Sequence, residues 1–200
     1  PRVRGRVRKM KGTFSGGTAA SLKATMVAAA KDPRVLDWLR SPFSLTPGFE
    51  GPKQPSGNKP MVDDALGEGV WVAPFVMAAI NTKNVHRSNI LLSQAYGADF
   101  VYDEMLVTGP GAKGEQIAQA VAADKSLGGE GGPKPGEGPS RQERDSGFYD
   151  LLFLGEDAQG KRLRVPAGRL QPLAATLIDL FDGFTGGDTL RLARFDAPRL

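Results

Sequence analysis

The sequence contains no cysteine and only one histidine, His86. The lack of cysteine excludes disulfide bonds, thiolate-bound zinc and thiol nucleophiles. A metal site would have to consist almost entirely of carboxylates, so we predict that there is none. Long apolar runs are also missing, since the longest, residues 70–80, contains Pro74 and falls short of the ~18 residues that a membrane-spanning helix needs. We therefore expect a cytoplasmic location.

The remaining composition is that of a globular protein. The chain has 200 residues, of which 40% are hydrophobic and 24% charged. A chain of this size can bury a core without help from disulfides or metals. It starts at Pro1 and shows neither an apolar nor an amphipathic leader segment. We expect it to be part of a longer protein.

Basic side chains are concentrated at the start of the chain, where residues 1–11 include Arg2, Arg4, Arg6 and Arg8 but no acid. These arginines alternate, so they project to one face of a strand predicted over residues 3–11. The face could contact phosphates or another anionic surface. The favoured interpretation is a solvated edge strand whose charges prevent wrong pairing. Nucleic-acid binding is not expected, because no aromatic side chain alternates with the arginines to stack on a base.

Local patterns along the chain alternate between strands and helices. The predicted strands cover residues 3–11, 70–80, 100–107, 148–156 and 161–165, and the predicted helices cover residues 19–31, 34–40, 85–96, 115–127 and 173–181. The last two strands should form a hairpin around the turn at residues 157–160.

Two segments rich in proline and glycine interrupt this regular structure. Residues 41–69 contain five prolines and five glycines, and residues 128–139 contain three prolines and six glycines. We predict a long irregular loop for the first, and an irregular, mobile segment for the second. Together, the predicted strands, helices and loops indicate an α+β fold, with helices packed on one face of a mixed sheet, long irregular loops and no Rossmann domain.

Two glycine-rich turns precede predicted helices. The first contains Ser15, Gly16, Gly17 and Thr18, which could bind an anion at the positive helix end or simply form a capped turn. The second, residues 109–114, matches the G-x-G-x-x-G pattern of dinucleotide sites. A plain strand-to-helix loop is favoured there, because the second parallel strand with its ribose-binding acid is absent.

Polar side chains are dense in residues 81–89, directly after the apolar residues 70–80. Open α/β sheets place ligands at the carboxyl ends of their strands, which makes this segment a candidate binding site. Arg87 could clamp a carboxylate or phosphate, and His86 could transfer a proton. A surface or capping role is favoured for His86, because no acid within one helical turn orients it.

Tyr102 and Glu104 are two apart on a predicted strand, so their side chains share a face. Tyr102 could donate a proton to a ligand, although a half-buried aromatic side chain is the commoner role for a strand tyrosine. No order of serine, histidine and aspartate suggests a hydrolase.

Four segments, in this order and spacing, resemble one family. They are residues 12–21 (GTFSGGTAAS), 73–92 (APFVMAAINTKNVHRSNILL), 96–104 (YGADFVYDE) and 136–148 (GEGPSRQERDSGF). Together they are similar to the second domain of saccharopine-dehydrogenase-like oxidoreductases, especially the branch of trans-acting enoyl reductases. The resemblance assigns residues 1–165 to this second domain. It departs after Val165, which leaves residues 166–200 as a divergent tail with a helix.

The resemblance implies a two-domain reductase. An N-terminal Rossmann domain, which this chain lacks, would hold NAD(P), and the second domain would close over an acyl or lipid-like substrate. Ser15, Gly16, Gly17 and Thr18 would then lie beside the cofactor at the cleft between the domains. The substrate pocket would include Asn81, Arg87, Ser88 and Asn89, with His86 and Tyr102 as further candidates. The chain alone is expected to be inactive, the catalytic residue is unassigned, and a homodimer is left open.

A second class of function is also open. The chain could be a non-catalytic interaction module that contacts a membrane or lipids peripherally. Its basic strand and the apolar loop residues Phe43, Leu45 and Phe49 would make that contact.

Overall fold

The computed structural model describes residues 1–12, 15–124, 134 and 136–170. Its strands are β1 (Arg2–Lys11), β2 (Met61–Val62), β3 (Val70–Pro74), β4 (Val101–Pro110), β5 (Phe148–Glu156) and β6 (Arg162–Leu170), and its helices are α1 (Gly16–Lys31), α2 (Pro33–Arg40), α3 (Ala78–Leu91), α4 (Gly111–Ala123) and α5 (Arg141–Asp145). The described strands form a six-stranded sheet in the order β2-β3-β4-β1-β5-β6. The predicted α+β fold with a mixed sheet is confirmed.

Strand β1 lies inside the sheet, between β4 and β5. It pairs in parallel with β4 and antiparallel with β5, and every other neighbouring pair is antiparallel. The prediction that the arginine strand lies at an edge is therefore wrong. Alternating charges suggested an exposed strand, but acidic side chains from elsewhere in the fold pair with Arg2, Arg6 and Arg8.

The core lies along the central strands. Val7, Val72, Met105 and Leu152 are buried there, and α3 and α4 pack against this part of the sheet. Ala118 of α4 is fully buried against the sheet, which is consistent with the small side chains that dominate this helix.

The predicted hairpin and the first two helices are confirmed. β5 and β6 pair antiparallel, and the Asp157 carboxylate accepts bonds from the Gln159 and Lys161 amides in the turn. β6 continues beyond the predicted end at residue 165. The Ser15 side chain caps α1, as the sequence allowed.

The prediction of one strand over residues 70–80 is wrong. β3 ends at Pro74, a turn follows, and α3 begins at Ala78 rather than at residue 85. A continuous apolar run fits a buried strand and a buried helix equally well, so periodicity could not divide it. Asn81 consequently lies inside the helix, and the N-cap is Met77, whose side chain makes no capping bond.

Some predictions concern residues outside the described ones. These are the irregular segment at residues 128–133 and 135, and the helix at residues 173–181 with the tail around it. The described residues 136–139 have no regular structure, and residues 41–69 are irregular apart from turns and β2. In the described part of the chain, no helix has the length and apolar character needed to cross a membrane.

Candidate functional site

Three polar side chains meet where α3 packs on β4. The Tyr102 hydroxyl donates a hydrogen bond to Glu104 Oε1, and Asn81 Nδ2 donates to Glu104 Oε2 over 2.8 Å. Tyr102 is 4% exposed and Glu104 is 8% exposed. We call Asn81, Tyr102 and Glu104 the Glu104 cluster. Glu104 was recognised from the sequence only as the neighbour of Tyr102 on one strand face.

Strand alternation and one glycine create the space for this cluster. Tyr102 and Glu104 are two residues apart, so they rise from the same face of β4. Gly5 of β1 lies opposite Glu104 in the sheet. A Cβ atom at Gly5 would lie 2.9 Å from Glu104 Cγ and 3.2 Å from the Tyr102 hydroxyl oxygen. The missing side chain therefore lets the tyrosine and the glutamate lie over the neighbouring strand.

Burial controls the proton affinity of the cluster. It raises the pKa of Glu104, and the hydrogen bonds from Tyr102 and Asn81 offset part of that increase. Burial also raises the pKa of Tyr102, and the nearby negative charge of Glu104 raises it further. Tyr102 consequently keeps its proton, and Glu104 is the group that can take up or release one. A buried carboxyl group with a raised pKa is suited to general acid or base chemistry.

The loop of residues 41–69 fixes the strand that carries Tyr102. Gln54 Oε1 accepts a bond from the Tyr102 amide at 2.9 Å, and Gln54 Nε2 donates to the Phe100 carbonyl at 3.2 Å. β3 pairs with β4 only from Met105 onward, so the glutamine side chain continues the hydrogen bonding where β3 has ended. Nothing in the sequence pattern identified this contact.

His86 is buried, so the favoured interpretation of it as a surface or capping residue is wrong. It is 2% exposed and lies between Phe43 and Phe100, with ring centroids at 4.6 and 5.9 Å. Burial lowers the pKa of His86. Among the described residues, its Nε2 atom has no hydrogen-bond partner. These buried, aromatic surroundings favour the neutral form of the imidazole.

The other residues predicted for the substrate pocket are apart from the cluster. Arg87 is exposed, and its Nη1 donates to the Leu45 carbonyl at 3.2 Å. Asn89 is buried and stabilises the turn after α3. Its Nδ2 donates to the Gly97 carbonyl, and its Oδ1 accepts from the Tyr96 amide. Ser88 is half-buried. Of the predicted pocket residues, the structure brings together Asn81 and Tyr102.

The predicted cofactor residues form the start of α1. Ser15 Oγ accepts a bond from the Thr18 amide, and the Gly16 amide donates to the Glu137 carbonyl over 2.8 Å. A Cβ atom at Gly16 would lie 1.7 Å from the Lys134 carbonyl oxygen. The chain itself thus covers Gly16, whose amide is not available to a pyrophosphate, whereas Ser15, Gly17 and Thr18 are exposed. The capped turn, one of the two alternatives left open, describes what is seen.

Backbone conformation and packing account for the glycine pattern at residues 109–114, since Gly109 and Gly111 have positive φ angles of 113° and 64° and Gly114 is closely packed. β4 continues to Pro110, and α4 begins at Gly111, whose amide donates to the Gly69 carbonyl at 3.0 Å. A Cβ atom at Gly114 would lie 2.0 Å from the Gly109 carbonyl oxygen. The glycine allows the first turn of α4 to approach the end of β4.

A second polar cluster, which sequence reasoning missed, lies on the opposite face of β4. Arg6 is 1% exposed. Its Nε donates to Asp63 Oδ2 at 2.6 Å, and its Nη2 lies 2.8 Å from Asp103 Oδ2. Arg2 Nη2 donates to the other oxygen of Asp103 at 3.0 Å. Among the described residues, no group of three or more His, Asp or Glu side chains is arranged to hold a metal ion.

Comparisons with known proteins identify similar sequences. A Mycobacterium tuberculosis (strain ATCC 25618 / H37Rv) protein provisionally named a trans-acting enoyl reductase is 34% identical over 179 residues, which cover 78% of this chain and 42% of that protein. The trans-acting enoyl reductase of Mycobacterium ulcerans (strain Agy99) is 32% identical over 159 residues, covering 68% of this chain and 38% of that protein.

A third relative, the trans-acting enoyl reductase of Mycobacterium bovis (strain BCG / Pasteur 1173P2), is 31% identical over 173 residues, which cover 75% of this chain and 41% of that protein. The chain thus spans about two fifths of the length of these relatives. No protein-family model matches the chain, and no solved structure matches it.

Proposed function

We propose that this chain is the substrate-binding portion of an NAD(P)-dependent oxidoreductase that reduces an enoyl group, and that it acts only within a longer protein. The similarity to trans-acting enoyl reductases over most of the chain carries the proposal. Their names support an oxidoreductase-type role. The Glu104 cluster supplies the acid-base chemistry that such a reaction needs from the protein.

Reduction of an enoyl group adds a hydride to one carbon of the double bond and a proton to the other. A bound nicotinamide would supply the hydride, and we assign the proton to Glu104, with the Tyr102 hydroxyl as the group that positions its carboxylate. The raised pKa of Glu104 lets its carboxyl group hold a proton at a higher pH than an exposed glutamate would. One N–H of the Asn81 amide is bonded to Glu104, which leaves the second free to donate to a substrate carbonyl.

An apolar rim suits an acyl substrate. Val76 and Ile80 precede Asn81 on the turn and first turn of α3, and they are 47% and 54% exposed. Tyr102 and Glu104 are covered, whereas Asn81 is half-buried. We therefore place the entry of the substrate on the α3 side of the cluster, with its carbonyl at Asn81.

We place the cofactor in a Rossmann domain outside this chain. At the start of α1, Lys134 and Glu137 cover Gly16, and Gly114 lets the first turn of α4 approach the end of β4. Ser15 and Thr18 would then line the side of the interdomain cleft rather than hold the pyrophosphate. This chain and the cofactor domain together form the complete enzyme in this proposal.

A steady-state assay of the longer protein tests the role of the cluster. With NADPH and an enoyl thioester as substrates, Tyr102→Phe should lower kcat by about tenfold or more, the usual loss for a hydrogen bond to a charged group, because Glu104 loses the hydroxyl that positions it. The KM for NADPH should not change, because the cluster lies in the substrate-binding portion. Tyr102→Phe removes the hydroxyl and leaves the ring against Phe100.

Tyr96→Phe is the matched control. Tyr96 also packs on Phe100, with ring centroids 5.4 Å apart, so this variant removes a hydroxyl from the same aromatic cluster without touching Glu104. Equal kcat values for the two variants would contradict the role of Tyr102. If the longer protein fails to oxidise NADPH with any enoyl thioester, the proposed function itself is wrong.

The alternative of a peripheral membrane module receives less support. Arg6 is buried in ion pairs, and Phe43 packs against Phe49 and His86 inside the fold. Of the three apolar loop residues, Leu45 is the one that is more than one third exposed. These contacts withdraw Arg6 and Phe43 from a membrane surface.

A further inference from the structure

A cavity lies on the arginine-bearing face of β1. It has a volume of about 320 Å³ and is open to solvent. The charged side chains that line it are Arg2, Arg4, Arg6, Arg162, Asp63 and Asp64. We call it the arginine cavity. Asp103 points to this face of β4, and the neighbouring Glu104 points to the other, so the arginine cavity is separate from the Glu104 cluster.

Two of the four arginines are already used by acidic partners. Arg6 is held by Asp63 and Asp103 and also donates to the Gly5 carbonyl. Arg162 pairs with Glu156 at the surface over 3.1 Å. These contacts fix the walls of the cavity.

Arg4 and Arg2 retain unused donors. Among the described residues, the Arg4 side chain has no hydrogen bond and no ion pair, although it lines the cavity between Arg2 and Arg6. Arg2 binds Asp103 through Nη2, while its Nε is buried without a partner among the described residues. Since a buried N–H without an acceptor is costly, Arg2 Nε indicates a missing acceptor, and the half-buried Arg4 has donors available to the same ligand.

We propose that the arginine cavity binds the phosphate group of a phosphate monoester, with Arg4 as the principal ligand. A guanidinium donates two parallel hydrogen bonds to a phosphate, and Arg4 is available for both. Asp63 and Asp64 also line the cavity and repel any anion. A phosphate is favoured over a carboxylate because its three terminal oxygens can accept bonds from Arg4 and from Arg2 Nε together, whereas a carboxylate has two. The volume exceeds that of a bare ion, and the half-exposed Met61 offers apolar surface to an organic group.

This binding site is independent of the proposed reductase activity. It uses the other face of the sheet and requires neither Tyr102 nor Glu104. It can therefore be tested by binding to the 200-residue chain alone, and a negative result would leave the enoyl reduction assay unaffected.

Calorimetric titration at constant ionic strength tests the site, with inorganic phosphate and glycerol 3-phosphate as probes. Both should bind, and glycerol 3-phosphate should bind more tightly. Arg4→Gln should weaken binding by about tenfold or more, the usual loss for a hydrogen bond to a charged group. Arg162→Gln, at the exposed rim, should weaken binding several-fold and provides a second variant should Arg4→Gln unfold the chain.

Arg40→Gln is the control, because it removes the same charge from the exposed end of α2 and should leave binding unchanged. A flotation arm with vesicles containing phosphatidic acid distinguishes the source of the phosphate. Binding of the soluble probes alone supports a small metabolite, and vesicle binding that glycerol 3-phosphate displaces supports a lipid headgroup. If Arg4→Gln and Arg40→Gln bind phosphate equally, or if the chain binds no phosphate, the proposal is overturned.

Discussion

Arg6 shows why a residue pattern does not determine its own environment. Alternation correctly predicted that Arg2, Arg4, Arg6 and Arg8 share a face, because that follows from the geometry of any strand. Whether the face is solvated depends on partners that are distant in sequence. The carboxylates that bind Arg6 are 57 and 97 residues away, and only the tertiary fold brings them to it.

Removal of Arg6 should strongly destabilise the fold. Arg6→Met should lower the free energy of unfolding by about 3–5 kcal/mol, because Asp63 would remain buried without its counter-charge and Asp103 would keep only Arg2. Urea denaturation measures the difference. Arg8→Gln is the matched control on the same strand face: Arg8 pairs with Asp150 but is 39% exposed, so its loss should cost about 1 kcal/mol or less. Similar losses for both variants would refute a buried charge network at Arg6.

His86 should make stability depend on pH. Its folded pKa lies below the ordinary value of 6.5, so the unfolded chain binds a proton more readily and acidification favours unfolding. The contribution of His86 is full above about pH 7 and decreases by up to about 1.4 kcal/mol per pH unit as the pH falls through 6.5. Urea denaturation between about pH 7.5 and about pH 5.5 should show this decrease.

The variant His86→Phe isolates the effect. Phenylalanine suits the cluster with Phe43 and Phe100 and cannot take up a proton. The raised pKa of Glu104 acts in the opposite direction, since the folded state then favours the neutral carboxyl as the pH falls toward 4.5. Glu104 is the same in both proteins, so its effect cancels in the comparison. Equal pH dependence in the two proteins would exclude His86 as the cause.

At the scale of elements, the ends of helices were predictable where a local capping residue marks them. Ser15 caps α1, and Asp32 ends α1 and caps α2 through the Arg34 amide. α3 has no such marker at its start. Its early beginning moved Asn81 from a predicted loop into the second helical turn, and that position places the amide beside Glu104. Asn81 was predicted for the substrate pocket, but the error in this boundary concealed its contact with Glu104.

A substitution at Gly16 tests whether the contact of Lys134 and Glu137 with the start of α1 stabilises the fold. Gly16→Ala would place Cβ 1.7 Å from the Lys134 carbonyl oxygen. Because this neighbour is backbone, the segment has to move, and we expect a loss of about 1–3 kcal/mol. Amide exchange at position 16 should also become faster, since its bond to the Glu137 carbonyl would break.

Gly17→Ala provides the control in the adjacent position. Its nearest atom would be Ser15 Oγ, at an ordinary 3.7 Å. Alanine restricts the unfolded chain, so this variant should be neutral or stabilising by up to about 1 kcal/mol. If Gly16→Ala unfolds at the same urea concentration as Gly17→Ala, the contact with Lys134 does not constrain the helix.

At the scale of the whole molecule, composition and local pattern were enough for the fold class but not for the order of the strands. Hairpin β5-β6 follows from its turn, whereas the position of β1 between β4 and β5 depends on contacts across most of the chain. The site shows the same division. Tyr102 and Glu104 were predicted to share a face from strand geometry, while the contributions of Asn81, Gln54 and Gly5 required the fold.

The last prediction concerns NADPH and the isolated chain, which should bind with a dissociation constant near millimolar or weaker. A dinucleotide site needs one helix end for the pyrophosphate and a neighbouring parallel strand end for the ribose. The sequence suggested that β4 has no parallel neighbour, which is wrong, because β1 pairs with it in parallel. The carboxyl end of β1 carries Lys9 and Lys11 and offers no acid to a ribose, and the amide of Gly111 at the start of α4 already donates to the Gly69 carbonyl. An isolated helix end contributes on the order of 1 kcal/mol, far below the ~8 kcal/mol of micromolar binding.

Titration of the chain with NADPH, followed by nucleotide fluorescence, measures this affinity. NADH is the informative companion, because it lacks the phosphate monoester that the arginine cavity would accept. Any preference for NADPH should disappear in Arg4→Gln, which would attribute it to that cavity rather than to a dinucleotide site. Saturable micromolar binding of both nucleotides, abolished by Gly111→Val and unaffected by Ser15→Ala, would instead make the end of β4 a cofactor site, since Gly111 is the residue whose substitution would obstruct a pyrophosphate there.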